Sequence, residues 1–342
     1  MFHNCGSFYN SSDCRISATF SVSAFVEGRL LYALYVAITA LELLAIVTMT
    51  VLTIITLFDI SKSSKFHPNM MRMISFYFTQ GFVGNGARVA LMGWQFGWIG
   101  ETDSPIALLV LSELRFYWIF LCAYMFSAFV IERLFATLYI ADYEAQKRTW
   151  ITTTLFIGLF AICHAESAFV IFGSTLDSSA MHNVMVAVGV AVVSATISGV
   201  AGAIIFKINA IRLKRVDDTC DEYTLGIKYQ LLENRRAFKL LLLVSSFSSI
   251  TVVTACVFLT LGIVMVESSP SSSSMLGACF DAIVTIGSLA VLCIVILFEK
   301  EWRIIIVQRL GLIRWVEISR DSPIINLAPE ESVSMHFAEL EK

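Results

Sequence analysis

Seven long apolar segments recur along the chain, separated by shorter polar stretches. Each is long enough to cross the roughly 30 Å hydrocarbon core of a bilayer, which takes about 20 residues of helix. Because lipid cannot hydrogen-bond an open backbone, such segments must be helical. The pattern predicts an all-α bundle of seven transmembrane helices over Leu30–Phe58, Met73–Trp98, Ile106–Ile131, Trp150–Phe172, Val184–Phe206, Leu240–Val266 and Met275–Phe298. The loops before Ile106 and Val184 are short, so six spans with one re-entrant pair is the alternative.

Composition supports a membrane protein. Charged residues make up only 15% of the 342 residues, and hydrophobic residues make up 57%. A soluble domain carries about 25% charged residues, which cover its large surface. The composition therefore excludes a typical cytosolic enzyme, a disordered chain and a secreted disulfide scaffold.

Basic residues are distributed unequally between the two sides of the predicted membrane. Of 24 Lys and Arg residues, 20 lie in three loops and the tail on one side, and two lie within 1–29. Basic loops stay cytoplasmic, so we expect the N-terminus outside and the C-terminus inside. Asn10 begins an Asn-Ser-Ser glycosylation acceptor, which agrees with an exterior N-terminus.

No loop is long enough to hold a folded domain of its own. We therefore expect three parts: an extracellular segment over 1–29, a seven-helix transmembrane domain over 30–298 and a cytoplasmic tail over 299–342. The tail begins with charged and apolar residues that are typical of a short amphipathic helix on the inner leaflet. The third inner loop, about 207–239, is predicted to continue as helix out of the membrane.

Ionisable residues within the spans are costly and are functional candidates for that reason. At 1.5 Å per residue, Arg115 lies about 27 Å above Arg133, and the other members fall at a similar depth. The depths predict a polar pocket that opens outward, or alternatively pairs in which Arg88 and Arg115 join Glu113, Glu166 or Asp281 and hold helices together. The ionisable set also includes Glu42, and the ligand-pocket candidates are Arg88, Glu113, Arg115, Trp118, His164, Glu166 and Asp281.

Other chemistry is missing from the sequence. It contains no Gly-rich phosphate loop, no GxSxG, no HExxH and no metal-ligand spacing such as CxxC. We therefore expect that the protein is not an enzyme and that it has no metal, no cofactor and no nucleic-acid partner.

The sequence leaves two kinds of disulfide as alternatives, one between Cys5 and Cys14 and one from either of these residues to Cys279. Small residues at four-residue spacing in the fifth span, Ala195, Gly199 and Ala203, favour packing against a neighbouring helix, with a homo-oligomer face as the alternative.

Two sequence blocks resemble one receptor family. The first runs from Glu132 to Tyr139 and continues in Asp142-Tyr143-Glu144; the second is Tyr223-Thr224-Leu225-Gly226 with Lys228-Tyr229-Gln230-Leu231 and Glu233-Asn234-Arg235-Arg236. Both resemble the inner loops of the nematode serpentine receptor class e (Sre) chemoreceptors, a family similar to G-protein-coupled receptors. Gly226 stands where a small polar residue is expected. The last span lacks Asn-Pro-x-x-Tyr, which places the chain outside the rhodopsin-like class.

The resemblance implies a chemosensory receptor in the plasma membrane of a sensory neuron cilium. It would detect an external small-molecule or peptide ligand and signal to a heterotrimeric G protein. Glu132 would restrain Arg133 at rest, and the opening of span six would expose the coupling surface. The basic loop would attract anionic membrane lipid equally well. The coupling candidates are Glu132, Arg133, Lys228, Arg235 and Arg236.

Two other functions remain open from the residues alone. A seven-helix ligand-gated ion channel is one, although the channels of that type place the N-terminus inside, against the distribution of basic residues. A membrane-embedded hydrolase or transporter is the other, and the sequence shows neither a catalytic motif nor an internal repeat.

Overall fold

The computed structural model describes residues 29–60, 67–96, 98, 105–140, 148–176, 180–218, 225–265, 268–298 and 300–309. These residues form helices and turns and contain no strand. The helices are α1 (Arg29–Ile60), α2 (Pro68–Gln95), α3 (Pro105–Leu138), α4 (Thr149–Leu176), α5 (Ala180–Asp218), α6 (Leu225–Met265), α7 (Pro270–Phe298) and α8 (Lys300–Arg309). The predicted bundle of seven long helices is confirmed.

Several helices extend beyond the apolar segments that predicted them. α3 continues seven residues past Ile131 to Leu138, and α5 continues past Phe206 to Asp218. α6 begins at Leu225, well before the apolar segment starts at Leu240. Hydropathy marks only the part of a helix that lies in lipid. Backbone hydrogen bonding can continue the same helix into water when no Pro or Gly ends it. The third inner loop is therefore largely helix, as predicted.

Six of the seven long helices are apolar and long enough to cross a membrane; α2 is the exception. Its polar residues Asn69, Asn85 and Arg88 lie inside the bundle, and 15 of its 28 residues are buried. α5 and α6 are the reverse case, because only 22% and 17% of their most apolar windows are buried. Their outward apolar surfaces suit lipid rather than water. The chain is a multi-pass membrane protein whose most polar span is shielded by the others.

The small-residue stripe of α5 has an open position at Gly199. Among the described residues, nothing lies within 4 Å of the position that a Gly199 Cβ would occupy. Val193, Ile197 and Val200 around it are exposed. The prediction of packing within the chain is therefore wrong at Gly199, and a homo-oligomer through this face stays a prediction.

The predicted disulfide and glycosylation residues lie mostly outside the described part of the chain, whereas the predicted tail helix lies within it. Cys279 is a free thiol in α7, while Cys5, Cys14 and Asn10 lie outside the described residues. The chain divides into two compact units after Phe298. The second unit contains α8, so the predicted helix after the last span is present.

Candidate functional site

Glu42 of α1 and Arg88 of α2 form a buried ion pair with two parallel contacts. The Arg88 Nε lies 2.7 Å from Glu42 Oε1, and the Arg88 Nη2 lies 2.8 Å from Glu42 Oε2. Both side chains are 1% exposed or less. This fork-to-fork geometry is the strongest way for an Arg to bind a carboxylate, and it ties the first two helices together inside the bundle.

Arg115 of α3 and Asp281 of α7 extend the pair into a cluster of four charges. The Arg115 Nε donates to Asp281 Oδ1 at 3.2 Å, and its Nη2 donates to Thr285 Oγ1 at 3.3 Å. Asp281 Oδ2 also lies 3.3 Å from the Nη1 of Arg88. We call Glu42, Arg88, Arg115 and Asp281 the buried charge cluster. Its four members come from four different helices, and its formal charges cancel.

A cavity of about 30 Å³ adjoins this cluster. Arg88, Arg115 and Asp281 line it, and α6 contributes Leu259 and Gly262 to its wall. A volume of this size holds about two water molecules. Three of the seven predicted pocket residues therefore line one cavity, which lies between α1, α2, α3, α6 and α7.

Three other predicted pocket residues lie between α3 and α4, away from this cavity. The His164 Nδ1 is 2.6 Å from Glu113 Oε1, and the Tyr124 hydroxyl donates to Glu166 Oε1 at 2.6 Å. Tyr117 stacks on the His164 ring at 4.2 Å between centroids. One alternative from the sequence paired Arg88 and Arg115 with Glu113 or Glu166, and the structure does not show those pairs. Glu42 takes that role together with Asp281.

Trp118, the last predicted pocket residue, packs into α2 and does not line the cavity. Its ring is fully buried and lies against Gly84, where a Cβ would stand 2.3 Å from Trp118 Cβ. Only a residue without a side chain permits this approach. The indole is a packing anchor that sets the distance between α2 and α3, and hence between Arg88 and Arg115.

A second polar cluster lies far along α3 from the first. Arg133 Nη2 lies 2.7 Å from Glu132 Oε1, and its Nη1 donates to Asn234 Oδ1 of α6 at 2.9 Å. Glu233 Oε1 is 3.7 Å from the same Nη1 and accepts from the His67 backbone N–H at 2.7 Å. We call Glu132, Arg133, Glu233 and Asn234 the Arg133 cluster. The predicted contact between Glu132 and Arg133 is present.

The sequence model described as "Sre G protein-coupled chemoreceptor" matches residues 8–342, nearly the whole chain. The chain belongs to the Sre family. Serpentine receptor class epsilon-1 of Caenorhabditis elegans is 30% identical over 203 residues, 58% of this chain and 55% of that protein. Serpentine receptor class epsilon-21 of the same organism is 34% identical over 131 residues, 37% of this chain and 34% of that protein. The matches thus span about half, or less, of the curated relatives' length. The resemblance seen in the sequence is confirmed.

The remaining coupling candidates of this Sre chain lie on α6 beside the Arg133 cluster. Lys228 and Arg235 are exposed and Arg236 is half-buried, while Asn234 between them is buried. One side of α6 therefore contacts Arg133, and other positions present basic side chains outward. These candidates lie at the end of α6 that contacts Arg133, and their role in coupling stays a prediction.

Two groups that matter at the sites of this Sre chain were not among the candidates. Glu42 had a signal, because its depth matched that of the other ionisable residues. Asn234 had none beyond its place in the second motif block, since a neutral amide on a basic helix is ordinary. Pairing across helices depends on rotation of each helix about its axis, which hydropathy does not reveal.

Proposed function

We propose that this protein is a chemosensory receptor that detects an external ligand at the cavity beside the buried charge cluster. The ligand would act on α3, α6 and α7, and the receptor would signal to a heterotrimeric G protein at the Arg133 cluster. One observation carries the proposal: α3 and α6 each contact both places. Arg115 and Arg133 belong to α3, and Leu259 and Asn234 belong to α6.

The two places are about 27 Å apart along α3 at 1.5 Å per residue. Helices of this length transmit a tilt or rotation with little internal distortion, because their backbone hydrogen bonds are continuous. A ligand that prefers one arrangement of α3 and α6 would shift the population toward it. At the far end that shift would separate Asn234 from Arg133 and expose the coupling surface.

The proposal places the charge cluster on the outer side of the plasma membrane and the Arg133 cluster on the cytoplasmic side. The excess of Lys and Arg around the Arg133 end supports this orientation. Family membership supports a chemosensory role, and the sensory cilium is the location that such a role implies. Epitope tags at the two termini of the chain test the orientation on intact and permeabilised cells. An N-terminal tag that is hidden on intact cells would contradict it.

Signalling is tested in cells that express the tagged full chain, by screening a small-molecule library for second-messenger changes. Arg133→Ala is expected to abolish the response to any active compound while surface expression stays near that of the unsubstituted chain. Lys207→Ala on the exposed face of α5 is the control. Unchanged signalling by the Arg133 variant would remove the assigned coupling site.

A further inference from the structure

Arg115 has one donor group that nothing in the described structure uses. Its Nε and Nη2 donate to Asp281 and Thr285. Its Nη1 is buried and has no hydrogen-bond partner among the described residues. The whole side chain is 3% exposed, and it lines the cavity. A buried N–H of a charged group without an acceptor is costly, so this position favours a bound molecule that supplies one.

Three other polar side chains that line the cavity have partners. Ser273 Oγ donates to the Gly262 carbonyl at 2.8 Å, and Ser274 Oγ donates to the Pro270 carbonyl at 3.0 Å. Gln95 Oε1 accepts from Arg88 Nη1 at 3.3 Å. Arg115 Nη1, by contrast, is a buried donor with no partner among the described residues.

The charge balance of the cluster disfavours a charged ligand. Two guanidinium groups and two carboxylates already neutralise one another, with at most 13% exposure of any member. An added carboxylate or ammonium would be an uncompensated charge in a site with little water, which is strongly unfavourable. A neutral acceptor satisfies Nη1 without disturbing this balance.

The volume and the lining of the cavity restrict the class of ligand further. The 30 Å³ cavity admits an oxygen-bearing group of about the size of two waters. Leu91, Phe116, Leu259 and Phe280 supply apolar wall beside it. We propose that the cavity recognises a neutral small molecule whose carbonyl, ester or hydroxyl oxygen accepts a hydrogen bond from Arg115 Nη1 and whose apolar part contacts these walls. This inference rests on the proposed function only in taking the cavity as the ligand site.

The test uses the purified full chain in lipid nanodiscs and measures its Tm with added compounds. The compounds are short straight-chain ketones, esters and alcohols, with the alkanes, carboxylates and amines of the same chain length. A molecule that binds the folded state raises the Tm. The ketones, esters or alcohols are expected to raise it more than their alkane counterparts, and the carboxylates and amines are expected to raise it less.

The charge-balanced double variant Arg115→Met with Asp281→Asn removes the donor without leaving a buried charge. It is expected to weaken the binding of the oxygenated compounds roughly 10-fold to 100-fold, to the level of the alkanes. Arg115→Lys, which keeps the charge but loses the planar fork, is the second variant and is expected to show the same trend. Arg72→Met, at an exposed arginine of α2, is the matched control and is expected to change nothing.

Each outcome decides the inference. Preferential stabilisation by carboxylates or amines overturns the inference about ligand class. That result still agrees with the proposed function, in which the cavity is the ligand site. Stabilisation by oxygenated compounds that survives both Arg115 variants overturns the inference as well, and so does the absence of any effect from every class. An Arg115-dependent effect of neutral oxygenated compounds supports it even when cells show no second-messenger response, and in that case only the signalling proposal fails.

Discussion

The two buried arginine sites of this protein differ in where their counter-ions come from. In the buried charge cluster every counter-ion comes from another helix: Glu42 of α1 and Asp281 of α7 hold Arg88 and Arg115. In the Arg133 cluster the closest counter-ion is the preceding residue of the same helix, Glu132. A movement between helices strips the first cluster of its charge partners, whereas Arg133 keeps Glu132 whatever α6 does.

This difference predicts which end of the bundle moves. Separating α3 from α6 breaks the hydrogen bond from Arg133 to Asn234 at 2.9 Å and a longer contact to Glu233 at 3.7 Å. Losing one hydrogen bond to a charged group costs about 1.5–3 kcal/mol. Breaking a buried ion pair costs about 3–5 kcal/mol. We therefore expect the charge cluster to act as a fixed tie and the Arg133 cluster to open.

The largest expected effect comes from breaking the tie. Glu42→Gln leaves Arg88 buried with one counter-ion fewer, and we expect about 3–5 kcal/mol of destabilisation. The measurement is the surface level of the tagged chain together with its Tm in detergent. The double variant Glu42→Leu with Arg88→Met removes both charges and is expected to recover much of the loss. A Glu42→Gln chain as stable as the unsubstituted one would show that the cluster is not a tie.

Packing beside the charge cluster gives the next effect. Gly84→Ala places a methyl group 2.3 Å from Trp118 Cβ, which forces α2 and α3 apart at a cost of about 1–3 kcal/mol. Gly86→Ala is the matched control, because nothing in the described structure lies within 4 Å of its Cβ position. The control is expected to be neutral or stabilising by up to about 1 kcal/mol. Equal Tm values for the two variants would be inconsistent with the close approach.

At the Arg133 end a smaller change in stability is expected to have a large functional readout. Asn234→Leu removes the hydrogen bond across α3 and α6 while Glu132 still neutralises Arg133. Under the proposed function, the ratio of open to closed protein would rise roughly 10-fold to 100-fold, which would be measured as an increased basal second-messenger level without added compound. Ser246→Ala, at an exposed hydroxyl of the same helix, is the control. A basal level that does not rise would mean that this bond does not restrain α6.

The smallest effect is expected at the pair between α3 and α4. Glu113 and His164 are 17% and 28% exposed, whereas Glu42 and Arg88 are at most 1% exposed. Glu113→Gln should lower stability by less than about 1 kcal/mol, and its surface level should stay close to that of the unsubstituted chain. A loss as large as that of Glu42→Gln would show that partial exposure does not separate the two kinds of pair.

The family's inner motifs and the seven spans were predictable because they are local. Hydropathy over about 20 residues marks a span, and each inner motif is a short run of residues that is recognised without knowledge of the fold. The common depth of Glu42, Arg88, Arg115 and Asp281 also followed from counting residues along each helix. Helix ends were less predictable, since α5 and α6 continue past the apolar segments.

By itself the sequence determined how many helices there are, how deep each ionisable residue lies and which family the motifs belong to. Tertiary structure alone decided which charges meet: Glu42 pairs with Arg88, while Glu113 pairs with His164. Depth is a distance along one helix, and it follows from the 1.5 Å rise per residue. A partner depends on the rotation and order of the helices around the bundle, which arise from contacts such as Trp118 against Gly84 that no single segment contains.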